Sequence, residues 1–168
     1  MTSDSLLLGR IAKGDRNAFH ALYERHADRI FRYVLGLIRK PHLAEEVLQE
    51  TMLAVWNGAA KFRGASQVGT WVLGIARNQA YGLLRREERG RRLPEEPDKT
   101  ADPAPDIERS VAVTDALETL PPAQREVLHL VYYENLSVRE TAEILGIPAG
   151  TVKSRMFHAR QTLEKELA

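Results

Sequence analysis

The stretch TAEILGIPAGTVKSRMFHAR, residues 141–160, decides how this chain is read. An amphipathic helix stops at Gly146-Ile147-Pro148, and a basic helix follows. Gly146 suits a left-handed C-cap, where glycine carries no Cβ penalty, and Pro148 suits the start of a helix. Upstream, Ser137 with Glu140 three residues on has the spacing of a capping box. Downstream, Val152, Met156, Ala159 and Leu163 fall at helical spacing and make one apolar stripe. The other face carries Thr151, Lys153, Ser154, Arg155, His158 and Arg160, with no acid before Glu164. Lys153 and Arg155 sit early in the helix, where the macrodipole does not favour cations but a docked helix meets phosphates and base edges. Ala142 is small where two helices must cross. The layout is that of a helix-turn-helix, whose second helix enters a major groove. A helix pair with a merely solvated basic face is the plainer alternative.

A formal net charge of only +1 over 168 residues stands against nucleic-acid binding at first sight. The charge is uneven. Residues 61–93 hold 8 Lys and Arg against 2 Asp and Glu, whereas residues 94–122 hold 2 against 8. Residues 1–60 and 123–168 are near balance, at 8 against 7 and 6 against 6. A basic block is thus cancelled by the acidic block beside it. Phosphate attraction follows the local patch over a Debye length of roughly 8–10 Å, not the net figure.

Apolar and charged contents of 43% and 28% are those of a soluble globular protein. No apolar run approaches the length of a bilayer span, and Met1-Thr2-Ser3-Asp4-Ser5 lacks a signal-peptide layout. The chain has no cysteine, which excludes disulfides, thiolate metal sites and a thiol nucleophile. The expectation is an intracellular protein.

Helical periodicity runs through most of the chain, and no long stretch alternates as a strand would. Residues 17–40 place Phe19, Leu22, Tyr23, Ile30, Phe31, Val34, Leu37 and Ile38 at helical spacing, with Pro41 expected to end that helix. Residues 43–57 repeat the pattern with Ala44, Val47, Leu48, Met52, Val55 and Trp56. A loop with two glycines covers residues 62–69. A third helix is expected from Thr70, as N-cap, to about Arg89, with Val72, Ile75, Ala76, Gln79 and Leu83 on one side. Residues 94–106 then hold four prolines and no large apolar side chain. They read as a flexible, acidic, proline-stiffened linker. Residues 107–118 look helical. Leu120-Pro121-Pro122 breaks the pattern, with Pro122 in the first turn of a helix carrying Val127, Leu128, Leu130 and Val131. The expected architecture is all-α, with domains at 1–93 and 107–168 joined by the linker at 94–106.

At this point the residues carry a family resemblance. Asp115-Ala116-Leu117 through Leu120-Pro121-Pro122-Ala123-Gln124-Arg125-Glu126-Val127-Leu128, followed by the helix-turn-helix, resembles the C-terminal domain of bacterial RNA polymerase sigma factors. Ala44-Glu45-Glu46-Val47-Leu48-Gln49-Glu50-Thr51-Met52-Leu53-Ala54-Val55-Trp56 looks like the polymerase-binding helix of the same family. Phe62-Arg63-Gly64 through Thr70-Trp71-Val72-Leu73-Gly74-Ile75-Ala76-Arg77-Asn78 looks like its promoter-melting segment. Two signatures in order, with only a short linker between them, resemble the extracytoplasmic-function (group IV) subgroup. The likeness covers roughly residues 6–165.

The resemblance implies partners and roles. The polymerase clamp coiled coil would dock on Glu45, Glu46, Gln49, Glu50 and Leu53, an acidic edge suited to a basic partner helix. The minus-ten element would meet Arg63, Ser66, Gln67, Thr70, Trp71, Arg77, Asn78, Arg85 and Arg86. A base leaving the stack needs hydrogen bonds and phosphate anchors of this kind. Trp71 reads either as core or as a stacking platform, and Tyr81 is a weaker stacking candidate. The minus-thirty-five element would meet Thr151, Lys153, Ser154, Arg155, His158 and Arg160. The second domain would also bind the polymerase flap, and the acidic linker would lie in the polymerase's nucleic-acid channel. The resemblance further implies an anti-sigma factor as partner and a bacterial cytoplasmic location.

Three departures matter. Val68 stands where relatives often carry an aromatic. Gly74 and Gly82 each lower helix propensity by about 1 kcal/mol relative to alanine. Lys153 and His158 stand where relatives often carry arginine, and lysine lacks arginine's planar fork for guanine. The five histidines, His20, His26, His42, His129 and His158, are scattered, and no metal, cofactor or catalytic constellation is expected. A charge run at residues 85–92 suits a DNA backbone better than a solvated face. Two rival readings remain: a stand-alone helix-turn-helix regulator, and a sigma mimic that sequesters an anti-sigma factor.

Overall fold

Three of the helix starts are set by side chains that accept backbone N–H groups no earlier residue can bond. The computed structural model describes residues 2–90 and 116–167, and among them all regular structure is helical. These residues fall into two compact units. The proline-rich segment at 94–106, and most of the helix expected over 107–118, lie outside the described residues.

In the first unit, α1 (Asp4–Ile11) starts where Ser3 Oγ accepts the Leu6 N–H at 3.2 Å. Asp15 Oδ1 accepts the N–H groups of Asn17 and Ala18 at 3.0 and 3.1 Å and starts α2 (Arg16–Ile38). That helix ends at Arg39, in the left-handed region at φ 62°, whose N–H donates to the Leu35 carbonyl at 2.8 Å. Pro41 is therefore not the terminator expected from sequence. It is the first residue of α3 (Pro41–Gly58), a position where its missing N–H costs nothing. A single 3-10 turn, Ala59–Lys61, leads into the loop before α4 (Val68–Gly90).

α4 begins two residues earlier than expected. Thr70 is not its N-cap but lies in its first turn, 3% exposed. Val68 packs into the core at 4%. The core is a single cluster in which Leu22, Val34, Ala44, Val55, Ala76 and Ala80 are fully buried. α1 was not legible from periodicity, yet it buries Leu7, Leu8 and Ile11 in that cluster.

α1 is also tied down electrostatically. Asp4 Oδ1 accepts from Arg25 Nη1 at 2.8 Å, and Asp4 Oδ2 lies 2.8 Å from His26 Nε2. Partial burial alone would raise the Asp4 pKa, but the hydrogen bonds from Arg25 and His26 and their positive charge outweigh it. The carboxyl is held below the usual carboxylate range.

In the second unit, residues 116–119 are helical and α5 (Pro122–Leu128) follows the break at Leu120-Pro121. Arg125 Nη2 donates to the carbonyls of Glu118 and Leu120 at 3.3 and 3.1 Å, stitching the break together. α5 runs into a widened π turn, His129–Tyr133, closed by the Glu134 N–H on the His129 carbonyl at 3.0 Å. This turn had no counterpart in the sequence reading. The capping box forms as expected: the Glu140 N–H donates to Ser137 Oγ at 3.0 Å, and the Ser137 N–H to Glu140 Oε1 at 3.1 Å. It starts α6 (Val138–Leu145), which Gly146 ends at φ 66°. α7 (Ala149–Leu167) buries Val152 and Ala159 fully. Thr141, fully buried, rather than the half-buried Ala142, is the interior residue at that level of α6.

A carboxyl whose folded pKa is depressed stabilises above its unfolded value, and that contribution is lost as pH falls through the folded one. Asp4→Asn should therefore lower the melting temperature at neutral pH, and the gap from wild type should close as pH drops below about 4. A gap independent of pH in thermal melts would contradict the ion-pair account.

Candidate functional site

The side chains expected to do the work lie on three surfaces. On α3, Glu45, Glu46, Gln49, Glu50 and Leu53 are all exposed, while Ala44, Val47, Leu48, Thr51, Met52 and Val55 are buried behind them. At 3.6 residues per turn the five span an arc of about 140°, with Leu53 near its middle. Leu53 is 54% exposed. The result is an apolar centre with an acidic rim and no Lys or Arg, with His42 exposed at the N-terminal end of the same arc.

The second surface is the loop before α4 and the open face of that helix. The loop turns at Gly64, in the left-handed region at φ 75°. It is braced where Phe62 meets the Trp71 ring at 5.1 Å between centroids. Trp71 also lies beside Gly58, where a Cβ would stand 3.6 Å from the indole. Trp71 is thus a half-buried brace on the loop, packed against the core cluster, between the two readings left by sequence. Arg63 and Gln67 are exposed and Ser66 is half-buried. Thr70 is interior and does not share their open surface.

Along α4, Trp71, Asn78 and Arg85 recur every seven residues and so lie on one line. Asn78, Arg85 and Arg86 are exposed. Arg77 stands to one side, its guanidinium 4.5 Å over the Tyr81 ring, so Tyr81 serves as a platform for Arg77. Gly74 and Gly82 fall on the same open face. A Cβ at Gly74 would meet nothing within 4 Å, and one at Gly82 only the tip of Arg85 at 4.0 Å. Among the described residues nothing requires glycine at either position.

The third surface is the outer face of α7. Opposite the buried Val152 and Ala159 lie Ser154, His158 and Gln161, with Lys153 and Arg160 on one flank. Thr151 and Arg155 are half-buried on the other flank, nearer the apolar stripe than sequence suggested. Sequence reasoning missed Phe157. It is 58% exposed beside His158, with 5.7 Å between ring centroids. The signal was present, since Phe157 falls on the polar face rather than in the stripe. Arg160 leans over the Tyr132 ring at 5.2 Å. Among the described residues no group of three His, Asp or Glu is placed to hold a metal ion. No helix among them is long and apolar enough to cross a membrane.

Comparison with known proteins gives the family of each unit. Residues 22–90 match the family model described as sigma-70 region 2, and residues 110–163 match sigma-70 region 4. The chain is 36% identical over 166 residues to the ECF RNA polymerase sigma factor SigM of Mycobacterium tuberculosis, covering 98% of this chain and 85% of that one. It is 31% identical to the RNA polymerase sigma-H factor of Pseudomonas aeruginosa, covering 98% and 93%. Among solved structures, the sigma factor RpoE in complex with the anti-sigma factor NepR from Bartonella quintana superposes with a TM-score of 0.75. The identity is 26%, over 89% of this chain and 96% of that one. CnrH in complex with the cytosolic domain of CnrY shares the fold at a TM-score of 0.73 and 24% identity, over 99% and 97%.

Because a Cβ at Gly74 meets nothing, Gly74→Ala should raise the stability of the isolated chain by up to about 1 kcal/mol through helix propensity alone. Chemical denaturation measures it, and a loss of stability would mean that Gly74 has a packing role inside the chain.

Proposed function

The chain belongs to the extracytoplasmic-function RNA polymerase sigma factors, and from that premise we propose how its three surfaces divide the work of initiation. Such a protein is an initiation factor, not an enzyme: it binds core RNA polymerase and promoter DNA. The region 2 match leaves no place for a stand-alone helix-turn-helix regulator.

α3 is the polymerase-docking helix. Its acidic arc with Leu53 at the centre meets a basic coiled coil of the clamp, Leu53 supplying apolar burial and Glu45, Glu46 and Glu50 charge complementarity. The loop at 62–69 and the open face of α4 take the non-template strand of the minus-ten element. Ser66 and Gln67 offer hydrogen bonds to an unstacked base, Trp71 its indole ring, Asn78 a bond to a base edge, and Arg63, Arg77, Arg85 and Arg86 phosphate contacts. Thr70 supports the loop from beneath. Gly74 and Gly82 let the strand approach the helix backbone. α7 reads the minus-thirty-five element with Thr151, Lys153, Ser154, Arg155, His158 and Arg160. Phe157 adds an apolar contact of the kind that recognises a thymine methyl.

The domain bounds proposed are 1–93 and 107–168, with the acidic segment 94–106 lying in the polymerase's nucleic-acid channel and the second domain also touching the flap. Control by an anti-sigma factor is supported by the RpoE–NepR complex. The chain has no cysteine, so any redox control acts through thiols of that partner. Group IV membership and a bacterial cytoplasmic location complete the reading.

The observation that carries the division is the contrast between an acidic, apolar-centred α3 and an aromatic, Asn- and Arg-bearing α4 on one folded unit. Leu53→Asp should weaken binding to core polymerase by roughly tenfold or more, the scale of a lost buried anchor, with thermal stability unchanged. Gly74→Ala should leave core affinity intact and slow promoter opening followed by permanganate reactivity of unpaired thymines. A Leu53→Asp protein with full core affinity, or a Gly74→Ala protein with normal opening, would contradict the assignment of that surface.

A further inference from the structure

The Asp4, Arg25 and His26 cluster does more than hold α1. His26 is 8% exposed, and two neighbouring atoms of its ring face different elements. Nε2 lies 2.8 Å from Asp4 Oδ2 on α1, and Cε1 would lie 3.6 Å from a Cβ on Gly69, in the first turn of α4. Arg29, one turn along α2 from Arg25, comes closer still. Its Nη1 would stand 2.7 Å from that same Cβ. A side chain at residue 69 would therefore be seated against the Arg29 guanidinium, with the His26 ring at ordinary van der Waals distance. The exposed loop at 62–67 is anchored at one end by Phe62 on Trp71 and at the other by this seat.

We propose that α1 is a positioning element for the 62–69 loop: Asp4 fixes Arg25 and the His26 ring, and His26 with Arg29 forms the floor that sets where Gly69 and the start of α4 sit. Asp4 and His26 are thus positioning residues, acting on DNA only through the loop. The proposal rests on the reading of that loop as the promoter-opening segment. It explains why residue 69 is glycine although its backbone is not left-handed. Any side chain there pushes the Arg29 guanidinium off its seat, a displacement that the flexible arginine can make without breaking the helix.

Thermodynamic coupling of this kind is reciprocal, and reciprocity supplies the test. Hydrogen–deuterium exchange is followed on the full chain for wild type, Asp4→Asn, Asp4→Glu and Gly69→Ala. Promoter opening is followed by permanganate reactivity with the reconstituted holoenzyme. Asp4→Asn should speed exchange of the amides of residues 62–70 roughly tenfold or more, the scale of a lost charge-assisted hydrogen bond. Asp4→Glu, which keeps the carboxylate, should restore most of the protection. Gly69→Ala should speed exchange within α1, at the far end of the linkage. Both Asp4→Asn and Gly69→Ala should slow opening, and the double variant should be no slower than the slower single one.

Unchanged loop exchange in Asp4→Asn, unchanged α1 exchange in Gly69→Ala, or an equal rise throughout α3 would overturn the proposal. So would effects on opening that multiply in the double variant. A Ser66→Ala/Gln67→Ala variant separates the premise from the inference. Impaired opening there without exchange coupling removes the positioning role and leaves the loop assignment standing. Normal opening there with coupling intact removes the loop assignment and supports the linkage of α1 to Gly69.

Discussion

Burial of Val34, Ala44, Val55 and Ala76, each without solvent exposure, is the constraint on which the first unit depends. Helices that present these side chains to a common core have their rotation about their own axes fixed, because a helix can bury only one stripe. On α3 that rotation turns Glu45, Glu46, Gln49, Glu50 and Leu53 outward. On α4 it turns Trp71, Asn78 and Arg85 to the open side. The α4 side adds contacts of its own, Phe62 on Trp71 and Arg77 over Tyr81, but its orientation follows from the core. Both faces are oriented by the core, so the acidic arc of α3 and the open side of α4 share no residues.

Electrostatics follows the same division. A net charge of +1 conceals a block at 61–93 with 8 basic and 2 acidic residues, most of it on the loop and α4, whereas the exposed arc of α3 carries three glutamates. Screening confines each patch to its own neighbourhood. The second unit holds a smaller basic set, Lys153, Arg155 and Arg160, on a helix that also exposes Phe157.

Much of this was legible in the sequence because it rests on local rules. Ser137 with Glu140 forms the capping box, Gly146 takes the left-handed cap, and Val152 and Ala159 are buried at the spacing that sequence displayed. The misreadings came where tertiary packing overrode a local cue. Proline as a helix stop points to Pro41 as the end of α2, but Arg39 in a left-handed conformation ends it first. Thr70 was taken as a cap because threonine often is one, but the core claims Val68 and draws the helix start back two residues. α1 was invisible because eight residues give too little periodicity, and its anchor, Asp4 on Arg25 and His26, lies across more than twenty residues of sequence. Phe157 escaped because apolar side chains are sought in stripes, and its value lies in standing outside one.

The central claim is that this single chain confers promoter-specific initiation on core polymerase. Run-off transcription with purified core enzyme, on a template pool from the native genome, tests it most directly. The account predicts discrete transcripts with a shared upstream sequence pair when the chain is added, and none when it is left out. Tight binding to core enzyme with no promoter-specific transcript from any template would contradict it.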